Sequence, residues 1–112
     1  MVYQISLSPT AIADMGAAVD WLKENRSLEE ANQWLMGCFE AIQSLEQFPD
    51  RCARAPEADY LDLDIRQLKY SANTVYRILY TVVRQSSISE GLVQVHRVRH
   101  SAQERLKTLD EL

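Results

Sequence analysis

The stretch 63-LDIRQLKYSANTVYRILYTVVRQSSISEGLVQVHRVRH-100 decides the fold. It predicts three β-strands joined by short turns. Val75–Val83 is apolar on both faces, as a strand inside a sheet must be. Ser71–Thr74 is a tight turn, Gln85–Gly91 a polar hairpin loop, and Leu92–His100 the last strand. Upstream, Leu61, Leu63 and Ile65 alternate with Asp62, Asp64 and Arg66, and then Leu68 and Tyr70 continue one residue out of phase. A bulge near Arg66–Gln67 accounts for that slip. Arginines are interleaved with apolar residues throughout. On the last strand, Arg97 and Arg99 share the parity of Val93 and Val95; on the middle strand, Arg77 shares that of Val75 and Leu79.

Such a sheet needs a partner layer, and the preceding residues supply one. Val2–Leu7 alternates as a short strand with Tyr3, Ile5 and Leu7 on one face. Ser8 then caps a helix with Pro9 at its first position, where the missing N–H costs nothing. Ile12, Met15, Val19 and Leu22 recur at helical spacing, with Trp21 beside them, and Asn25 is the stop. Ser27 and Glu30 form a capping box for a second helix. Its stripe is Leu28, Ala31, Leu35, Cys38, Ile42 and Leu45, widened by Phe39 and Phe48 and ended by Pro49. At this length the stripe predicts a core face rather than a coiled coil. Asp50–Tyr60 reads as a loop. The expected fold is α+β, in the order β-α-α-β-β-β, with a helical hairpin packed on a mostly antiparallel twisted sheet. A chain of 112 residues fits one domain, 1–112. Residues 101–112 form its tail, either a short helix begun by Ser101 and Glu104 or a loose end.

Charge is unevenly spread. Residues 1–64 carry 4 basic and 12 acidic side chains, whereas residues 65–107 carry 8 basic and 2 acidic ones. The balances are −8 and +6, within a net charge of −4. A basic half suits an anionic partner; otherwise the charges merely solvate a sheet face. Cys38 and Cys52 have no CxxC partner and are expected to be two unpaired thiols. His96 and His100, four residues apart on a strand, would stand about 13 Å from each other and are not expected to share a metal. No phosphate loop, HExxH or EF-hand pattern is present. The N-terminus lacks the pattern of a signal peptide, no run approaches a membrane span, and a cytoplasmic protein without cofactor or metal is expected.

The cations left to explain are Arg66, Lys69, Arg77, Arg84, Arg97 and Arg99. A guanidinium binds carboxylate or phosphate in a planar, two-point fashion. The set could grip RNA phosphates or acidic side chains of a protein; alternatively, Arg77 clamps a core carboxylate. A metal-free RNA-cleaving site would need cations, a base and an acid. Arg66, Arg77, Arg97 and Arg99 would supply the first, His100 the base or acid, and Tyr70, Tyr76 and Tyr80 either stack bases or pack in the core.

ISLSPTAIADMGAAVDWLKEN resembles the opening of the RelE/ParE toxin superfamily, especially its ParE-like, plasmid-stabilisation branch. AIQSLEQFPDRCARAPE resembles that family's helix end and loop, IRQLKYSANTVYRILYTVV its hairpin, and VQVHRVRHSAQ its last strand. The likeness covers nearly the whole chain in the right order. It implies the same βααβββ fold and a toxin of a type II toxin–antitoxin pair. The toxin would be neutralised by a small antitoxin with an acidic C-terminal segment. ParE-like members poison DNA gyrase; RelE-like members cut mRNA on the ribosome. The implied contact residues for antitoxin or target are Arg66, Lys69, Arg77, Arg97 and Arg99. Where the family has Gly after the final His and then a basic pair, this chain has Ser101 and Ala102-Gln103. Fewer cations mean fewer phosphate contacts, so the departure favours the gyrase-directed branch over the ribosome-dependent nuclease. The third alternative is a non-toxic member that only binds antitoxin.

Overall fold

The computed structural model describes residues 2–72, 74–84 and 91–112. The elements are β1 (Gln4–Leu7), α1 (Pro9–Asn25), α2 (Leu28–Gln43), α3 (Glu57–Leu61), β2 (Arg66–Ala72), β3 (Thr74–Arg84) and β4 (Gly91–His100). The four strands form one sheet in the order β1-β4-β3-β2. β1 runs parallel to β4, and the other two pairings are antiparallel. The expected α+β architecture is therefore present. Parts of the two predicted turns, at 73 and 85–90, lie outside the described residues.

α1 begins where its cap predicts: Ser8 Oγ accepts the Ala11 N–H at 3.0 Å, with Pro9 next. The same hydroxyl donates to the His96 carbonyl, 2.8 Å away, fixing the helix to β4. In α2, Ser27 Oγ accepts the Glu30 N–H, but the Glu30 carboxylate turns to Arg26. Only half of the predicted capping box forms. α2 comes close to β2 at Gly37, where a Cβ would collide with the Tyr70 hydroxyl. That hydroxyl donates to the Trp34 carbonyl at 2.9 Å.

The main core lies between the hairpin and one sheet face. Ala11, Met15, Ala18, Trp34, Cys38, Ile42 and Leu45 meet Ile78, Tyr80, Val93, Val95 and Val98 there. Trp34, unassigned by the heptad reading, is buried, while Leu28, Ile12, Trp21 and Phe39 are exposed. Phe48, predicted to widen the stripe, is 78% exposed in a left-handed conformation with φ 51°. The residue before it ends the 3₁₀ continuation of α2, so its side chain leaves the helix face.

Two strand expectations are corrected. Leu61, Leu63 and Ile65 are not strand. Pro56 opens the short α3, Asp62 ends it in the left-handed region, and Ile65 leads into β2. The change of periodicity at 66 is thus a change of element, not a bulge. The sheet's irregularity lies elsewhere: Leu79 pairs with Arg97 but Tyr80 with Val95, leaving His96 as the extra residue of β4. It reverses parity, so Val98 joins Val93 and Val95 in the core, and Arg97 and Arg99 do not share their face. His96 and His100 separate for the same reason. His96 bonds Thr81 at 2.9 Å, while His100 packs edge-on against the Tyr76 ring at 5.2 Å.

A second, smaller core lies on the opposite face, where Leu79 meets Ala55, Leu61, Ile65 and Leu106. Leu106 brings the C-terminal tail across the sheet. That tail is a strap ending in a 3₁₀ turn at Leu109–Glu111, capped by Thr108 and Glu111 rather than by Ser101 and Glu104.

Candidate functional site

The face that carries the strap also carries most of the predicted cations. Lys69 pairs with Arg77 and Arg77 with Arg99, so β2, β3 and β4 each place one cation in a single cross-strand row. The next row is Gln67, Leu79 and Arg97. Arg66 is not among them. It pairs with Tyr80, on the other face, and its guanidinium donates to the Cys52 carbonyl at 2.7 Å beside Asp50 and Asp64.

Like charges directly opposite one another destabilise a sheet, and the fold offsets most of this with carboxylates from the acidic half. Glu57 is fully buried. Its two oxygens accept from Arg77 Nη1 at 2.9 Å and Nη2 at 2.7 Å, and one also accepts the Leu106 N–H. Burial pushes the Glu57 carboxyl up, but the bonds from Arg77 and from backbone N–H groups prevail and hold it below the usual range. Asp14 grips Arg97 at 2.8 and 3.0 Å and also accepts the Val98 N–H. That contact covers the β4 edge beyond the end of β1. Asp50 pairs with Arg84. Four of the basic side chains of residues 65–107, Arg66, Arg77, Arg84 and Arg97, are thus paired with carboxylates of the acidic half.

Arg99 differs. Among the described residues it has no carboxylate partner; Nη2 donates to the Glu104 carbonyl, and Nε is buried without a bond. Burial, then the charges of Arg97 and Arg77, lower its pKa from the ordinary arginine value. Lys69 is exposed and likewise forms no ion pair among the described residues. A cleft of about 570 Å³ opens beside the row, bordered by Pro56, Gln67, Lys69, Arg77, Gln103 and Arg105.

The three tyrosines lie on the hairpin side. Tyr76 stands edge-on to Trp34 at 5.0 Å, and Tyr80 is buried with its hydroxyl on the Pro49 carbonyl at 2.5 Å. None borders the cationic cleft. His100 Nδ1 accepts the Ala102 N–H at 3.0 Å, which ties the ring to the start of the strap. Cys38 and Cys52 are unpaired thiols; burial pushes Cys38 up to about 12. Among the described residues no group of three metal-ligating side chains converges, and no helix is long and apolar enough to cross a membrane. A second cleft, about 240 Å³ and apolar, lies between α1 and α2 along Ile12, Met15, Val19, Leu35 and Phe39.

Sequence reasoning missed Asp14 and Glu57 as the partners of Arg97 and Arg77, and Gln103 and Arg105 as cleft residues. The Pro56-Glu57 pair was visible within the loop motif, but nothing local says that its carboxylate turns inward.

Fold and site together define a small α+β protein whose basic sheet face is partly neutralised by internal ion pairs and whose hairpin exposes an apolar groove. The family model for the ParE toxin of the type II toxin–antitoxin system parDE matches residues 5–105. The chain belongs to that family. A structure of a chromosomal ParDE toxin–antitoxin system from P. aeruginosa has a similar fold, with a TM-score of 0.67 at 17% identity over 88% of this chain and 96% of that one. No curated protein matches the chain in sequence.

Proposed function

We propose that this ParE toxin acts by binding DNA gyrase and poisoning it, and that its cognate antitoxin silences it by covering the hairpin groove and the sheet edge. The carrying observation is the state of the cationic face. Phosphate cleavage without metal needs cations whose donors are free to meet the charge that develops on the scissile phosphate. Here Arg77 and Arg97 are each held by a carboxylate in two-point geometry. His100, the one base expected there, packs on the other face. The exposed apolar side chains Ile12 and Phe39 of the α1–α2 groove suit an amphipathic helix instead.

The rival reading, a ribosome-dependent mRNA endoribonuclease, draws support from the Lys69–Arg77–Arg99 row. Induction of the chain alone separates the two. Arrest of DNA replication before translation is expected; prompt loss of translation with cleaved mRNA would favour the nuclease. No arrest would mark a non-toxic antitoxin-binding member.

A further inference from the structure

Phe48 combines exposure with an unusual backbone. Exposed apolar side chains are ordinary on a protein surface; the conformation beneath this one is not. Phe48 is 78% exposed and its φ is 51°, in the left-handed region that bulky residues seldom enter. The other described non-glycine residue with a positive φ is Asp62, and aspartate tolerates that region. Such a conformation persists only where the surrounding structure over-determines it.

Around Phe48 the chain is fixed on both sides. The 3₁₀ continuation of α2, Ser44–Glu46, leaves carbonyls without helical partners. The Arg51 guanidinium turns back to them. Its Nη1 reaches the Gln47 carbonyl at 3.0 Å and those of Ser44 and Phe48 at 3.3 Å, and Nη2 donates to Ser44 Oγ at 2.8 Å. The Arg51 N–H closes the turn on the Phe48 carbonyl at 3.1 Å. After Phe48, the buried Pro49 has its carbonyl held by the Tyr80 hydroxyl; before it, the Glu46 carbonyl accepts the Tyr3 N–H. The flanks are tied to the core, and the ring alone is left in solvent. A free aromatic on a rigid support is the arrangement of an interface anchor, because its ordering cost is met before the partner arrives.

Place and charge indicate the partner. The apolar groove between α1 and α2 is bordered by Leu7, the last residue of β1, whereas Tyr3 ties the Phe48 turn to the other end of that strand, about 13 Å away. Phe48 is therefore a surface separate from the groove. Beside it, Arg51 bonds only neutral oxygens, and among the described residues no carboxylate pairs with it. Asp50, its neighbour in the chain, is engaged by Arg84 and Arg66. The complement of an exposed ring flanked by an uncompensated guanidinium is an apolar pocket with carboxylates at its rim. We infer that Phe48 is the anchor with which the chain docks on DNA gyrase, its ring entering a pocket of that kind on the target. The inference rests on the reading that gyrase is the target, and it adds the residue that makes the contact.

The test is titration of the whole chain over immobilised, purified DNA gyrase by biolayer interferometry. Phe48→Asn removes the ring and suits the left-handed backbone, so it is expected to melt at or above the wild-type temperature. It is expected to bind gyrase at least about thirtyfold more weakly. Phe48→Tyr keeps the ring and is expected to bind within about threefold of the wild type. Phe48→Lys and Phe48→Glu both lose the ring and test the rim: Phe48→Lys is expected to bind more tightly than Phe48→Glu. Undiminished binding by folded Phe48→Asn, an equal loss in Phe48→Asn and Phe48→Tyr, or binding by Phe48→Glu at least as tight as by Phe48→Lys overturns the inference and leaves gyrase as the target. If Phe48→Asn does not fold, the ring is structural and the inference fails too. No binding by the wild-type chain defeats the gyrase reading itself.

Discussion

Arg77 and Glu57 are the residues on which the basic face turns. Breaking a buried pair by removing one partner strands the other charge. Arg77→Met should therefore lower the unfolding free energy by about 3–5 kcal/mol, read from urea denaturation. Such a loss would also make any inactivity of that variant a folding effect unless its structure is checked. The pair carries a pH signature. Glu57 is held below the usual carboxylate range in the folded chain, so its contribution is fully present above the unfolded value, about 4.3. It is lost as pH falls through the lower, folded one. Glu57→Gln should flatten that part of the acid limb of the stability–pH curve; an unchanged limb would show that the carboxyl is not held ionised.

At the scale of elements, the C-terminal strap is the part that local sequence rules describe least well. Its anchor is Leu106, fully buried against Leu61, Ile65 and Leu79, with its backbone N–H on Glu57 and its carbonyl taken by the Tyr60 hydroxyl. Leu106→Ala should cost about 2–5 kcal/mol, measured by denaturation. A cost below about 0.5 kcal/mol would mean that the strap is not part of the cooperative unit. The strap also shows where sequence reasoning stops. β1, α1, α2 and the three later strands were legible because their caps and periods are local: Ser8-Pro9, Ser27, and the apolar run of β3. The α3 turn was not, since five residues give no helical period to read. The bulge at His96 was not, because an extra residue in one strand is visible only against its partner. That single residue moved Arg97 and Arg99 off the face of Val93 and Val95. Of the arginines interleaved with apolar residues, Arg77 and Arg97 are paired internally, with Glu57 and Asp14.

For the whole molecule, the acidic and basic halves neutralise one another across the sheet: Asp14 with Arg97, Glu57 with Arg77, Asp50 with Arg84. Among the described residues, the sheet cations left without a carboxylate are Lys69 at the edge and Arg99 beneath the strap; Arg105 borders the same cleft, and the hairpin exposes its apolar groove. A molecule of this kind is better suited to dock on a protein than to grip a long polyanion, whose binding draws on many phosphate contacts at once. The direct test is a supercoiling assay with purified DNA gyrase, run beside a ribosome-programmed mRNA cleavage assay with the same protein sample. Inhibited supercoiling with accumulation of cleaved DNA, and intact mRNA, is the predicted result. Unaffected gyrase together with mRNA cut in the ribosome would contradict it.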